Sequence, residues 1–426
     1  MSNSLSRLRL LFLAYHFRPY NAVATVRSWH TASHLTRLGW DVSVVTPDPR
    51  LWRHADRMAE VDGEVTRLGI RRILTSHAWR ALAAYHLKVS EGMLTYLSGG
   101  ACRRLAHGLG IEFEAGWKSS AWHACRRLAA GDVDLVLASG PPFVGFELAQ
   151  RLAARLQCPY VVGYRDPWTT GEQFNGWLKA LAVRKERRIL ADCAAAIAVS
   201  PSMALAISQT FGVGDKVHVV TNGYSPEECD EVRPSRFDHF AIVYAGSFFP
   251  PQRSVSPLMA ALQRLQTADS APPAWRFHYY GMNTAHVQEV AKDYGLGAAV
   301  VCHGPVPRHE VLAAIKGAGL SVVVTSVNKV PTMEERGIVT GKIFESIGLG
   351  TPYLVIAPPG SDVETVVETA GGGRCFAGDD VAGMAAFLRA ALDGRVPARK
   401  NPEAYAWPNL AQRLDLILRS AVPKEG

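Results

Sequence analysis

The sequence predicts an α/β protein with two doubly wound domains in tandem, and two observations carry this prediction. Short β-branched runs alternate with amphipathic helical patterns, and the alternation stops at a polar stretch and then starts again. Strands that alternate with helices form parallel sheets, because a parallel connection needs a crossover segment. The chain has 426 residues, of which 48% are hydrophobic, so it is long enough for two or three domains.

The first half of the chain contains apolar runs that are typical of buried strands. These runs are 8–14, 41–46, 135–139, 160–163, 195–199 and 217–220. Amphipathic helical patterns cover 26–38, 143–156 and 177–190. Asn222-Gly223 and the acidic stretch 225–234 then supply a turn and a linker. We therefore place a first domain at 1–225 and a second at 226–400.

The second half repeats the pattern. Its strand-like runs are 241–245, 276–280, 299–302, 321–325 and 353–356. Gly371-Gly372-Gly373 lacks the spacing of a dinucleotide-binding loop, and we predict a turn there after a helix at 363–368. Ligands of open parallel sheets bind beyond the carboxyl ends of the strands. Two such domains that face each other are therefore expected to enclose a cleft.

Composition narrows the classes of function. The seven cysteines are scattered singly, which indicates reduced thiols in a cytoplasmic protein rather than a zinc or disulfide framework. No run approaches the roughly 18 to 20 apolar residues that span a bilayer. The net charge of +8 favours anionic partners. A nucleic acid is not expected, because the chain has no dense Lys/Arg block, zinc finger or aromatic RNA-binding strand.

The segment 340–352 predicts a short helix that begins after Thr340 and ends before Pro352. The first N–H groups of a helix lack carbonyl partners and bind anionic oxygens, and Lys342 in the first turn adds a positive charge. Glu345, one turn later, suits hydrogen bonds from a diol such as a ribose. A nucleotide diphosphate therefore fits this segment. The alternative is an ordinary solvated capping turn.

The second half resembles the nucleotide-binding domain of GT-B glycosyltransferases of family 4. The resemblance rests on Tyr244-Ala245-Gly246-Ser247 with Arg253, His303-Gly304-Pro305-Val306-Pro307, and Gly341-Lys342-Ile343-Phe344-Glu345 with Gly350-Thr351-Pro352. The first half adds a loop at 15–27, Ser139-Gly140-Pro141-Pro142, Tyr164-Arg165-Asp166-Pro167-Trp168 and Thr221-Asn222-Gly223-Tyr224. The stretch 407–418 resembles the last helix of the family, which crosses back onto the first domain, so 401–426 forms a third segment.

The resemblance implies a GT-B fold and assigns residues to a nucleotide-sugar donor. Arg253 and Lys342 are the expected catalytic cations. The expected donor-binding residues are Gly246, Ser247, Val306, Thr340, Gly341, Ile343 and Glu345. Asn21, Ser139, Arg165 and Asp166 are the expected contacts of the sugar or the acceptor. No metal and no cofactor are expected, since the nucleotide-sugar is a substrate.

Two departures from the family pattern bear on these assignments. The family often has two glutamates eight positions apart, and here Gly337 stands at the first of them, with Glu334 and Glu335 close by. The first-domain loop usually has adjacent glycines, whereas this chain has Asn21-Ala22-Val23-Ala24. Arg165 and Asp166 have an alternative interpretation as a buried structural pair.

The segment 70–128 mixes aromatic and basic residues in a way that suits an anionic membrane surface. The alternative is a set of helices that pack on the sheet and leave their arginines solvated. The prediction is a cytoplasmic protein on the inner face of a membrane, with a lipid-linked or glycan acceptor.

The sequence thus predicts a retaining, metal-independent glycosyltransferase that uses a UDP-sugar, in bacterial polysaccharide or glycoconjugate biosynthesis. Two other classes stay open. One is a nucleotide-sugar 2-epimerase on the same two-domain plan, and the other is a non-catalytic GT-B subunit that binds a partner enzyme.

Overall fold

The computed structural model describes residues 7–20, 23–49, 58–77, 115–171, 177–267 and 274–423. The chain folds into two compact units. The first comprises residues 1–220 together with 411–426, and the second comprises 221–410. The sequence placed this division after residue 225 and the final segment at 401–426.

Within the described residues, the first unit contains a seven-stranded sheet in the order β3-β2-β1-β4-β5-β6-β7. Its strands are β1 (Arg9–Leu13), β2 (Asp41–Pro47), β3 (Arg71–Thr75), β4 (Leu135–Gly140), β5 (Tyr160–Tyr164), β6 (Ala195–Ala198) and β7 (Val217–Val219). Every pairing is parallel, for example Leu11 with Ser43 and with Val136. The carboxyl ends of all seven strands therefore lie at one edge of the sheet.

The described helices of the first unit are α1 (Val23–Arg37), α2 (Met58–Leu68), α3 (Ala115–Ala124), α4 (Val144–Leu156), α5 (Trp177–Asp192) and α6 (Pro201–Phe211). Local sequence explains the bounds of α6. Ser200 accepts a hydrogen bond from the Met203 N–H, a proline follows at the first helical position, and Gly212 ends the helix at φ +70°.

The second unit contains a six-stranded sheet in the order β10-β9-β8-β11-β12-β13, again parallel throughout in the part that the structure describes. Its strands are β8 (Phe240–Ala245), β9 (Trp275–Tyr280), β10 (Val300–Cys302), β11 (Leu320–Val324), β12 (Tyr353–Ile356) and β13 (Gly373–Phe376). Its helices are α7 (Pro226–Glu231), α8 (Ser256–Thr267), α9 (Thr284–Asp293), α10 (Arg308–Gly317), α11 (Met333–Arg336), α12 (Gly341–Leu349), α13 (Asp362–Ala370) and α14 (Val381–Leu392). The strand order reverses between β8 and β11, and such a switch point is where open α/β sheets bind ligands.

Two strands were not predicted, and both lie at an edge of their sheet. β3 falls in the stretch that was interpreted as helical, and β13 begins at the third glycine of the predicted turn. An edge strand has little apolar surface to bury: Arg71 is exposed in β3 and Arg374 in β13. Hydrophobic periodicity therefore gives no signal for these two strands.

The last helix, α15 (Trp407–Ala421), begins in the second unit and ends in the first. Leu414 and Leu418 are buried one helical turn apart, and Leu416 on the opposite side is 69% exposed. Asp415 accepts a 2.6 Å hydrogen bond from Trp40 Nε1, which attaches this half of the helix to the first unit. No helix among the described residues is long and apolar enough to cross a membrane.

Candidate functional site

The turn after β8 holds a lysine side chain against a glycine. Gly246 has φ +131°, a conformation that residues with a Cβ rarely adopt. A Cβ at this position would overlap Cε and Nζ of Lys342, which reaches the turn from α12. Lys342 Nζ also lies 5.5 Å from the centroid of the Tyr244 ring. The glycine therefore lets the ammonium group sit at the switch point of the sheet.

The N-terminus of α12 faces the same turn through Lys342 and has no side-chain cap. Thr340 is the residue before the helix, yet its hydroxyl forms no capping bond. Its Oγ1 is buried without a hydrogen-bond partner in the described part of the chain, as is Oγ1 of Thr325 beyond β11. Helix N–H groups and unpaired hydroxyls are donors for an anion.

Arg253 adds a second positive charge. Its Nε donates a 3.3 Å hydrogen bond to the Thr325 carbonyl, which fixes the side chain beside the end of β11. Burial, and then the charge of Arg253, lower the pKa of Lys342 to about 8. Lys342 Nζ has neither a hydrogen bond nor an ion pair with any residue that the structure describes. Two cations whose charges act on each other in this way are suited to a multiply charged anion.

Glu345 is ion-paired one helical turn beyond Lys342. Its Oε1 accepts a 3.0 Å hydrogen bond from Nη2 of Arg308, at the start of α10, and Nη1 of Arg308 contacts Oε1 of Glu228 on α7. Burial raises the pKa of Glu345, and Arg308 opposes this effect. This partner could not be predicted from the sequence, because Arg308 lies 37 residues from Glu345 along the chain.

The loop after β10 leads into Arg308, which contacts Glu345 on α12. His303 N–H donates to the Tyr279 carbonyl at 2.8 Å, and the Gly304 carbonyl accepts from Gly281 N–H at 3.0 Å. These bonds fix the loop from both sides. The main-chain groups of Val306 form no hydrogen bond within the described residues, so they are available to a planar polar ligand.

The chain was compared with known proteins. Residues 24–223 match the family model of the glycosyl transferase 4-like domain. No curated protein matches the sequence. The structure of Anabaena Alr3699/HepE in complex with UDP and glucose is 14% identical, with a TM-score of 0.59, over 97% of this chain and 100% of that one.

Two further solved structures have the same fold. Sucrose-phosphate synthase from Thermosynechococcus elongatus is 14% identical, with a TM-score of 0.59, over 98% of this chain and 95% of the other. The lipopolysaccharide outer core galactosyltransferase WaaB, in its apo form, is 13% identical, with a TM-score of 0.53, over 97% and 99%. The whole chain thus has the fold of these GT-B glycosyltransferases, and residues 24–223 match the glycosyl transferase 4-like domain. The predicted fold class is confirmed, and the family match over the first half agrees with the predicted resemblance.

The second unit of the chain brings most of the predicted donor residues together. Gly246, Arg253 and Lys342 meet at the switch point, Thr340 and Gly341 form the start of α12, and Ile343 is buried beneath it. Ser247 accepts a 3.2 Å hydrogen bond from the Tyr244 hydroxyl through its carbonyl.

Glu335, which lies near the missing glutamate at Gly337, is hydrogen-bonded within its own loop. Its Oε1 accepts hydrogen bonds from Ser326 Oγ and Asn328 Nδ2, and its Oε2 accepts from the N–H of Thr332, which caps α11. The carboxylate therefore stabilises the loop after β11.

The first unit contains the other residues that were predicted to contact the sugar or the acceptor. Ser139 is the second-to-last residue of β4, and Arg165 directly follows β5. The guanidinium of Arg165 donates to the Pro141 carbonyl, and the charge of Asp166 opposes the effect of burial on its pKa. Both interpretations of Arg165 and Asp166, as sugar contacts and as a structural pair, stay predictions. Asn21 lies outside the described residues.

Arg27 is a cation that the sequence did not single out. It lies on α1, and its Nη2 donates a 2.9 Å hydrogen bond to the Val220 carbonyl. Burial, and then the charge of Arg165, lower the pKa of Arg27 to about 10. A second unpredicted feature is a series of hydrogen-bonded histidines in the second unit. His278 contacts His239 at 2.8 Å and His303 at 2.9 Å.

The segment 70–128 is only partly described. Residues 78–114, with Arg103 and Arg104, lie outside the described residues. Trp117 is 1% exposed and donates from Nε1 to Thr75 Oγ1 at 2.9 Å. Trp122 is covered by Arg151 and Arg155. For Trp117, the interpretation as a membrane-surface residue is therefore wrong.

Proposed function

We propose that this glycosyltransferase transfers a sugar from a UDP-sugar to an acceptor bound by the first unit, with retention of configuration and without a metal ion. The observation that carries the proposal is the position of Lys342. Its ammonium lies against Gly246, next to Arg253 and beside the uncapped N-terminus of α12. This arrangement suits the diphosphate of a donor.

The donor is assigned from the groups around that diphosphate. The Glu345 carboxylate would accept hydrogen bonds from the ribose hydroxyls, and the main-chain groups of Val306 would contact the base. UDP is the expected nucleotide because the similar structure of Anabaena Alr3699/HepE is described in complex with UDP, with UDP and glucose, and with UDP-glucose. The acceptor is expected to be a glycan or a lipid-linked saccharide.

The chemistry follows from charge. When the bond from the anomeric carbon to the phosphate oxygen breaks, negative charge develops on the leaving diphosphate. Arg253, Lys342 and the N–H groups of α12 stabilise that charge more strongly than the charge of the intact donor, and this difference lowers the barrier. A phosphate oxygen takes the proton of the acceptor hydroxyl on the same face of the sugar. Configuration is then retained, and no protein nucleophile is needed.

A direct test measures UDP binding by calorimetry. Lys342→Gln is expected to weaken UDP binding by about tenfold or more, since a charge-assisted contact contributes roughly 1.5 to 3 kcal/mol. Lys292→Gln is the matched control, because Lys292 is an exposed lysine of the same unit on α9. Equal affinities of the two variants would contradict the proposed diphosphate site.

Turnover distinguishes transfer from the two other classes. Release of UDP from UDP-glucose that requires an added acceptor would exclude a 2-epimerase, and nuclear magnetic resonance of the product would give its anomeric configuration. UDP binding without turnover on a broad panel of acceptors would support a non-catalytic subunit. Turnover should persist in excess chelator, whereas loss of activity that magnesium or manganese restores would contradict a metal-independent reaction.

Contact with the inner face of a membrane is a separate part of the proposal. Arg126 and Arg127 follow α3 and are exposed. Within the described residues, they are the arginines that we expect to contact the membrane. Binding to acidic vesicles should fall as salt is raised, because charges at a membrane surface are screened within about 8 to 10 Å. Replacing Arg103, Arg104, Arg126 and Arg127 by glutamine should reduce vesicle binding and leave UDP affinity unchanged.

A further inference from the structure

Three charged residues from three helices form one cluster in the second unit, which we call the Arg308 bridge. Arg308 is the first residue of α10, Glu228 lies on α7, and Glu345 lies on α12. Arg308 uses one end of its guanidinium for each carboxylate: Nη1 contacts Glu228, and Nη2 lies 3.0 Å from Glu345 Oε1. The planar, forked shape of arginine makes such a two-sided contact possible.

The exposure of the bridge argues against a purely structural role. The side chains of Arg308 and Glu228 are 40% and 41% exposed, and that of Glu345 is 27% exposed. Ion pairs with this much access to water contribute little to stability. The bridge nevertheless holds the carboxylate to which the proposed function assigns the ribose.

The bridge occupies only one oxygen of Glu345. Oε1 accepts the hydrogen bond from Arg308, and Oε2 has no hydrogen-bond partner in the part of the chain that the structure describes. A carboxylate with one oxygen fixed and the other open can accept hydrogen bonds from a diol in a single orientation.

Several charges face Glu345, and they act in opposite directions. Burial raises its pKa, Arg308 lowers it, Glu228 raises it, and Lys342 lowers it. Cys229, beside Glu228 on α7, is a further titratable group that interacts with Glu345. Removal of Arg308 therefore leaves Glu345 with the raising effects of burial and Glu228, opposed only by Lys342.

We propose that Arg308 is a positioning residue for the ribose of the donor: it holds Glu345 by Oε1 and leaves Oε2 open, while Glu228 holds Arg308 in place. This inference rests on the proposed function, because it takes Glu345 as the ribose acceptor. The opposite possibility is that Arg308 competes with the ribose for Glu345. The two make predictions of opposite sign.

The test uses the full chain and two probes, UDP and 2′,3′-dideoxy-UDP, whose affinities are measured by calorimetry. The second probe lacks the hydroxyls that would meet Glu345. Arg308→Gln is expected to weaken UDP binding by about tenfold, in line with one charge-assisted hydrogen bond, and to leave dideoxy-UDP within twofold. Arg308→Lys should recover part of the loss. Arg395→Gln is the matched control, because Arg395 forms an exposed ion pair with Asp393 in the same unit.

Dependence on pH separates positioning from a structural cross-link. Between pH 5.5 and 7.5, the UDP affinity of the Arg308→Gln variant should rise more steeply with pH than that of the unmodified chain. The variant lacks the arginine charge that lowers the pKa of Glu345, so its Glu345 ionises at a higher pH than Glu345 of the unmodified chain. Glu228→Gln should have the opposite effect on the slope. Combining Arg308→Gln with Glu345→Gln should abolish the extra slope and weaken UDP no further than Glu345→Gln alone.

The outcomes distinguish this inference from the proposed function. If the unmodified chain does not bind UDP, or if Glu345→Gln binds UDP as tightly as the unmodified chain, the ribose assignment itself fails. If Glu345→Gln binds weakly but Arg308→Gln behaves like Arg395→Gln, only the role of Arg308 fails. Tighter UDP binding by Arg308→Gln would overturn positioning in favour of competition, and equal losses for both probes would show a general structural effect.

Discussion

Each unit of the molecule places a pair of cations at the carboxyl edge of its sheet, and the two pairs are held differently. In the first unit, Arg27 and Arg165 donate to the carbonyls of Val220 and Pro141. In the second unit, Lys342 has no hydrogen bond to any residue that the structure describes, and Arg253 uses only its Nε, for the carbonyl of Thr325. The first pair is thus partly used by the protein's own backbone, whereas the second pair has donors left for a ligand.

The two pairs of cations also differ in their pKa values, although the two units have similar folds. Burial lowers the pKa of Arg27 and of Arg165 to about 10, so both stay charged at neutral pH. Lys342 has a pKa of about 8 and therefore holds its proton only weakly. A polyanion that binds there restores a full positive charge. This coupling supports the diphosphate site that the proposed function places in the second unit.

The largest effect is expected from Gly246→Ala. The new Cβ would displace Lys342, and the backbone at φ +131° would be strained, so UDP binding should fall by at least about a hundredfold. The control in the first unit is Gly212→Ala, at φ +70° with no atom within 4 Å of the added Cβ. Gly212→Ala should lower stability by about 1 to 2 kcal/mol and leave UDP affinity unchanged. Equal UDP affinities for the two variants in calorimetry would contradict the difference between the units.

Exchanging single arginines tests the two pairs directly. Arg253→Gln should weaken UDP binding by roughly ten- to thirtyfold, because one charge-assisted contact is lost. Arg165→Gln should change UDP affinity by less than about twofold and lower the rate of transfer to an acceptor. A UDP affinity that falls equally in both variants would mean that both pairs bind the nucleotide.

The pKa of Lys342 predicts a dependence on pH. The free protein binds the diphosphate well while Lys342 is protonated, so affinity should fall as pH rises through about 8. A pKa of about 8 predicts a loss of about eightfold between pH 7.5 and 9, provided that the bound lysine stays protonated. Arg253→Gln should shift the midpoint upward, because Arg253 lowers the pKa of Lys342. Calorimetry across this range, corrected for buffer ionisation, checks both points.

The smallest effect concerns stability and leaves UDP binding unchanged at neutral pH. Burial, with His303 next, lowers the pKa of His278 to about 4. Since the unfolded chain binds this proton below about pH 6.5, stability should decrease as pH falls from 6.5 towards 4. The loss should be about 1 to 2 kcal/mol in denaturant titrations at pH 7.5 and 5. His77 in the first unit contributes to the same loss of stability at low pH, because burial lowers its pKa as well. The difference between the unmodified chain and His278→Asn therefore gives the contribution of the second unit. His309→Asn serves as the control.

Local patterns in the sequence determined much of the fold. The buried strands were predicted within one or two residues, as for β4 and β12, because each buries a short apolar run. The glycine turn at Gly246 and the start of α12 were also predictable, since a few adjacent residues specify a turn or a helix N-terminus. β3 and β13 were missed because an edge strand needs no apolar alternation.

Only the tertiary structure decided which side chains meet. Arg308 joins residues that lie 80 positions before it and 37 positions after it, and the histidine series joins residues 239, 278 and 303. Such contacts depend on the register between parallel strands and on where each crossover helix packs. The sequence therefore determined which residue types stand at the ends of strands and helices. The packing of those elements determined that Lys342 has unused donors, that Glu345 has a partner, and that Arg27 and Arg165 hold backbone carbonyls, because charge and burial at a site are sums over elements distant in the chain.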